Sequence, residues 1–226
     1  MTTLAVDRSE RLVKSQERVR DLAEVFTPAA TVQDMLDLLP GDIWQVHPSA
    51  TFLEPSCGDG NFLVAILDRK LQAIAAAYAQ GVLPGGQSLA AAQFHALEAL
   101  SSIYAVDISH DNVVGGTPGH AVGARERLIQ QLHHWHAETF GKGLAPRSLV
   151  LRSAAWVVER NVLIGNMLAR TADGELTGRD ELPLKVFTWE PKNLRVTVHE
   201  TTLGAVMSET ATDRTGEMVL FGPPEP

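Results

Sequence analysis

Apolar residues recur at helical spacing along much of the chain, interrupted by short unbroken apolar runs that end in glycine or proline. Leu12, Val19, Leu22 and Phe26 share one face of a charged stretch that opens at Glu10, with Ser9 placed as its N-cap, so a helix is expected over 10–26. A shorter helix is expected over 31–39, where Val32, Met35, Leu36 and Leu39 are apolar and Pro40-Gly41 stops the run. The short apolar segment 51–54 then enters Pro55-Ser-Cys-Gly-Asp-Gly60, and helical periodicity returns over 61–80 through Phe62, Ile66 and Ile74. This order predicts strand, tight turn and helix.

After a loop over 81–88, which holds Pro84-Gly85-Gly86, an alanine-rich helix is expected over 89–100 and a second strand over 102–107. Gly115-Gly-Thr-Pro-Gly119 breaks the chain before a helix near 121–140. A third strand is expected over 162–165, and 171–181 is polar loop. The runs 184–189 and 194–199 flank Glu190-Pro-Lys-Asn193 and suit a hairpin, and the end from 208 is expected to be a mobile tail. Strands alternating with helices place the chain in the α/β class. No internal repeat or heptad pattern is present.

With 226 residues, 45% of them hydrophobic, the chain is long enough for one sizeable core. No apolar run reaches the roughly 18 residues that span a bilayer, and the start, with Asp7, Arg8, Glu10 and Arg11, has no signal-peptide core. A soluble, cytoplasmic protein without membrane association is expected. Cys57 is the only cysteine, so an intramolecular disulfide is excluded and a thiolate zinc site within one chain is not expected. The formal net charge of −8 argues against a broadly basic surface that grips nucleic acid unaided; a local patch or a partner would have to supply that attraction.

The most informative segment is Glu54-Pro-Ser-Cys-Gly-Asp-Gly-Asn-Phe62. A strand entering a glycine turn at the carboxyl edge of a sheet lets a ligand approach bare backbone. A dinucleotide fingerprint needs a third glycine where Leu63 stands, so pyrophosphate binding is disfavoured. The run instead resembles the first motif of the S-adenosylmethionine-dependent DNA amino-methyltransferases of the N6-adenine type: acidic residue, Pro, Ala or Ser, Cys, Gly, x, Gly, x, Phe. Upstream, Val25-Phe26-Thr27-Pro28 resembles the family motif that covers the other side of the cofactor.

The resemblance implies a Rossmann-like class I methyltransferase sheet with flanking helices, with room for reduction at the C-terminal end. It covers 24 to about 168. The segment 1–40 would then be helical and carry the covering motif, 41–207 would be the methyltransferase-like domain, and 208–226 the tail. The cofactor implied is S-adenosylmethionine, held by Phe26, Thr27, Pro28, Glu54, Pro55, Cys57, Gly58, Gly60, Phe62, Asp107 and Ile108. Glu54 would lie near the charged amino group of the methionine part. Ile103-Tyr-Ala-Val-Asp107-Ile108 ends a strand with a carboxylate suited to ribose hydroxyls, although the gap from Gly60 is longer than usual for such units.

Asn161-Val-Leu-Ile-Gly165-Asn166-Met-Leu168 aligns in two ways. It matches the family's third motif, usually Gly-Asp-x-Leu, in which case Asn166 meets the cofactor adenine. It also matches a degenerate fourth motif, Asn-Pro-Pro-Tyr, which makes Asn166 the catalytic contact to the target amine. No Asn-Pro-Pro-Tyr occurs; the single Pro-Pro pair, Pro223-Pro224, follows Gly222 in the tail. Trp189 is able to stack a base, but a hairpin tryptophan is more often packing. His133-His-Trp-His136 has one pair at ligand spacing, yet no accompanying carboxylate or cysteine motif, so no metal is expected. Arg125 and Arg127 are expected on a solvated helix face, and Cys57 as a small packing residue.

Two functions follow from this reading. One is an adenine-specific DNA methyltransferase, or its cofactor-binding subunit, of restriction-modification or phage type, meeting DNA through a partner chain or as a dimer. The alternative is a catalytically silent relative with a binding or regulatory role.

Overall fold

The computed structural model describes residues 27–116, 122–168, 177–207 and 214–217, so the helix expected over 10–26, and Phe26 with it, lies outside the described residues. Among these residues no helix is long and apolar enough to cross a membrane. Four strands, β1 (Phe52–Glu54), β2 (Ile103–Asp107), β3 (Val162–Asn166) and the two-residue β4 (Thr177–Gly178), form a parallel sheet in that spatial order.

The helices are α1 (Ala29–Asp37), α2 (Asn61–Gln80), α3 (Leu89–Ser101), α4 (His110–Val113), α5 (Ala124–Phe140), α6 (Leu149–Asn161) and α7 (Leu203–Met207). Helix α1 starts directly after Pro28, whose carbonyl accepts from the Val32 N–H, two residues earlier than the apolar spacing suggests. Helix α2 has the expected bounds and ends where Gly81 turns left-handed at φ 75°, allowing its N–H to close the last turn. Ser88 caps α3 by accepting from the Ala91 N–H. Helix α6 has no counterpart in the expected elements.

Alternation along the strands divides the core in two. Ile103 and Ala105 of β2 and Val162 of β3 join buried residues of α2, α3, α5 and α6 in one cluster. Tyr104, Val106 and Leu163 face the other way, against Leu182, Leu184 and Leu203. The one-directional strand order explains this asymmetry, since successive right-handed crossovers in one direction place their helices on the same face. A mixed α/β fold with a parallel sheet is therefore present, with the long helices α2, α3, α5 and α6 on one face and the short α7 meeting the other through Leu203. Side chains such as Leu63, Leu67, Leu71, Phe94 and Leu97 are fully buried, each contributing about 1.5–3 kcal/mol of transfer free energy.

The expected hairpin is present as β5 (Pro183–Glu190) and β6 (Arg195–Thr202), antiparallel and in register from Pro183 opposite Thr202 to Glu190 opposite Arg195. It packs on α3 and α6. Trp189 is buried there, edge-on to Phe94 at 4.8 Å, with its indole N–H donating to Ser101 Oγ at 3.0 Å. This side chain is core packing. Part of the expected tail, Arg214–Glu217, forms β7 alongside β6.

Candidate functional site

The segment after β1 is held by backbone and by one carboxylate. The Cys57 N–H donates to the Val106 carbonyl at 3.0 Å, continuing the contact between β1 and β2 past the end of β1. The Gly60 N–H donates to the Cys57 carbonyl at 2.9 Å, closing the turn. Gly58 and Gly60 take φ values of 55° and 95°, which L side chains rarely adopt. At Gly60 a Cβ would also come within 3.0 Å of Ala124 Cβ, so this glycine admits the start of α5 against the turn.

Asp107 Oδ2 accepts from the Gly58 N–H at 2.8 Å, joining the end of β2 to the glycine turn. Its Oδ1 accepts from the Ser109 N–H at 2.9 Å and from Asn112 Nδ2 at 3.0 Å. The carboxylate is 6% exposed. Three of its roughly four acceptor positions are thus engaged by the protein, leaving one on Oδ2 where the sequence reading expects two for a ribose. Glu54 Oε1 accepts from the Ser56 N–H at 3.2 Å. Burial raises the Glu54 pKa above the ordinary carboxylate range, the Ser56 hydrogen bond opposes this, and the Asp107 charge adds to the rise. Two acidic groups side by side at the carboxyl edge of the sheet favour a cationic ligand.

Cys57 is buried, and its thiol is pushed well above the usual range, first by burial and then by the charges of Asp107 and Glu54. It is a packing residue. Phe62 is partly buried against the main core, whereas Ile108 is 43% exposed just past β2. Thr27 is tied to the turn through its carbonyl, which accepts from Asn61 Nδ2 at 3.0 Å. Asn166 ends β3, two residues beyond Ile164, the register partner of Asp107. Its Oδ1 accepts from the Leu168 N–H at 2.9 Å. The structure thus brings Glu54, Cys57, Gly58 and Asp107 together, links Thr27 to them through Asn61, and places Asn166 one strand away from Asp107.

Arg125 and Arg127 differ from the solvated face expected for them. Arg127 donates to the Asp59 carbonyl at 2.9 Å and to Asn61 Oδ1 at 2.8 Å, and pairs with the Asp59 carboxylate at 2.7 Å. It clamps the glycine turn to α2. Arg125 donates to the Val162 carbonyl at 2.9 Å and to the Glu159 carbonyl at 3.1 Å, filling acceptors at the end of α6 that the helix itself cannot satisfy. Neither role has a local sequence signal, because both partners lie more than thirty residues away. His136 is likewise a core residue: its Nδ1–H donates to the Lys142 carbonyl at 2.7 Å and Nε2 faces Gln93 at 3.0 Å.

A cavity of about 390 Å³ lies between α1, α2 and α5, lined by Val32, Asn61, Asp68, Arg127 and Gln131 among others, next to the turn but not over Glu54 or Asp107. A second, of about 370 Å³, lies at the opposite end of the sheet, near the starts of β1 and β2. No family model, curated protein or solved structure matches the chain.

Proposed function

We propose that the chain binds S-adenosylmethionine across the carboxyl ends of β1, β2 and β3 and acts as an adenine-specific DNA methyltransferase, or as the cofactor-binding subunit of one. The observation that carries this reading is the Asp107–Gly58 hydrogen bond with the Glu54 carboxylate beside it, which puts the glycine turn and two acidic groups at one strand edge. A ligand with a positively charged amino-acid end, a ribose and a base matches that edge. Neighbouring strands lie about 4.8 Å apart, so β1 to β3 spans roughly 10 Å. The amino group would meet Glu54, the ribose Asp107, and the adenine Asn166.

This geometry favours the cofactor-adenine role for Asn166 over the target-amine role. In this reading Gly58 and Gly60 admit the methionine part closely, Asp107 offers its remaining Oδ2 acceptor to one ribose hydroxyl, and Arg127 keeps the turn rigid.

A second reading, a silent relative that serves as a binding or regulatory subunit, has its own support. The strand order runs in one direction from β1, and among the described residues no strand flanks the other edge of β1. Ligand crevices in open α/β sheets form where strand order reverses. Here that reversal would need a strand from outside the described residues; a partner chain or a second copy that brought one would also supply the surface that a chain of net charge −8 lacks for DNA.

Incubation with methyl-labelled S-adenosylmethionine and unmethylated DNA tests the proposal. Label on adenine supports the enzyme. Binding without transfer supports the silent reading, and neither binding nor transfer contradicts both. In Asn166→Ala a fall in cofactor affinity supports the adenine contact, whereas reduced turnover at unchanged affinity assigns Asn166 to the target base.

A further inference from the structure

At the end of the sheet opposite the glycine turn, two imidazoles converge on one buried carboxylate. His95 and Glu98 are three residues apart on α3 and so share a helix face, and His47 reaches them from the loop before β1. His95 Nδ1 stands 2.9 Å from Glu98 Oε2, and His47 Nδ1 stands 2.7 Å from Glu98 Oε1. The three ligand-type atoms all lie within 4.8 Å of one another. Sequence spacing gives no sign of this group, since His47 and Glu98 are 51 residues apart.

We propose that His47, His95 and Glu98 bind one divalent transition-metal ion of the zinc class, with a further coordination position open to the 370 Å³ cavity. The tautomer of His95 supports this. Its Nε2 lies 2.8 Å from the Pro84 carbonyl, which only accepts, so Nε2 carries the hydrogen and Nδ1 has its lone pair available towards Glu98. A ligand histidine commonly donates its other ring N–H to a carbonyl in this way, fixing the ring and making the free nitrogen a better donor. A lone pair facing a carboxylate requires a cation between them, either a proton or a metal ion.

The surroundings leave the carboxylate available. Lys70, the nearby buried cation, directs its ammonium to Ser49 Oγ at 2.8 Å, the Ala50 carbonyl at 2.6 Å and Ser102 Oγ at 2.9 Å. Glu98 keeps only the Ser49 N–H, at 3.1 Å, besides the two imidazoles. His95 is fully buried, while His47 and Glu98 line the cavity, so a bound ion would be fixed from the core side and open on the other. With metal–ligand bonds of about 2.0–2.2 Å, a tetrahedral site needs each N···O pair roughly 3.4 Å apart. The observed 2.7 and 2.9 Å separations must therefore open by roughly 0.7 and 0.5 Å, the first by a shift of the His47 side chain and the second by side-chain rotation of His95 or Glu98 on α3. Two imidazoles and a carboxylate with an open position form a donor set that suits zinc and other borderline metals.

The test uses the full chain, stripped with a chelator and titrated with Co²⁺ as a spectroscopic probe, followed by competition with Zn²⁺. The expected result is one strong site per chain, visible ligand-field bands displaced by stoichiometric Zn²⁺, and a spectral change on adding azide, which reports the open position. His47→Ala should weaken binding by more than about 100-fold, because changing even an outer partner of a ligand costs 10- to 100-fold. The His47 side chain is 28% exposed, so its removal is expected to leave the fold intact by circular dichroism. If His47→Ala fails to fold, Glu98→Gln serves as the second variant and should weaken binding similarly. His134→Ala, which removes an exposed histidine paired with Glu138, should change nothing. No strong site in the parent chain, unchanged affinity in the folded ligand variant, or loss of the site in His134→Ala would each overturn the proposal.

Discussion

Replacing Asp107 by asparagine tests the link between β2 and the glycine turn without changing side-chain volume. The amide oxygen can stay at the Oδ1 position and keep the Ser109 and Asn112 hydrogen bonds, so the amide nitrogen is forced to Oδ2. There it would face the Gly58 N–H at 2.8 Å, donor against donor. One charge-assisted hydrogen bond, worth about 1.5–3 kcal/mol, is lost, the Gly58 N–H is left without its acceptor, and the two remaining bonds weaken because the acceptor is no longer ionised. A total cost of about 2–4 kcal/mol follows, a shift in Tm of roughly 4–16 °C for a chain of this size. Thermal and urea unfolding followed by circular dichroism measure it. A Tm within a degree of the parent would show that the carboxylate does not hold the turn, and the assigned geometry would be wrong.

Gly60→Ala should destabilise by about 2–5 kcal/mol in urea unfolding, because the backbone sits at φ +95° and the new Cβ meets Ala124 at 3.0 Å; an unchanged midpoint would contradict the close packing of α5 on the turn. Lys70→Met removes an ammonium hydrogen-bonded to three oxygens and should cost about 1–3 kcal/mol, with S-adenosylmethionine affinity unchanged because the proposed site is at the other end of the sheet. Burial pushes the Lys70 pKa down to about 8, with Glu98 opposing, so between there and its ordinary 10.5 the unfolded chain holds more protons at this group. The stability that Lys70 contributes should rise with pH across that window, and Lys70→Met should remove that slope. In the proposed site, S-adenosylmethionine affinity should fall as pH drops through the raised Glu54 pKa, since protonation removes the charge proposed to meet the ligand's amino group; Glu54→Gln should bind more weakly and flatten the profile, and an identical profile would remove Glu54 from the site.

Elements were legible where periodicity and punctuation agreed. Helix α2 spans the expected residues because Gly60 and Gly81, both left-handed, mark its ends, and the hairpin followed from alternating residues around Pro191-Lys-Asn193. Helix α6 was not legible because it passes into β3 with no intervening residue: Asn161 ends the helix and Val162 starts the strand, so no glycine or proline marks the boundary and only the apolar run 162–165 stood out. The available signal was Ser148, whose side chain accepts from the Leu151 N–H at the start of that helix. Strand β7, Arg-Thr-Gly-Glu, has no alternation to read and is defined by its backbone pairing to β6. At the candidate site, the order of strand, glycine turn and helix was legible from the motif: Glu54 ends β1, and Gly58 and Gly60 make the turn before α2. Its internal use of Asp107, and the Arg127 clamp, depend on contacts between residues 49 and 68 positions apart, which no local pattern encodes.

Calorimetric titration of S-adenosylmethionine into the full chain at neutral pH asks, without DNA, whether the carboxyl edge of β1–β3 is the proposed cofactor site. Saturable binding of one molecule per chain is expected, weakened in Glu54→Gln and in folded Asp107→Asn. Absence of binding at millimolar ligand, or equal affinity in both variants, would contradict it.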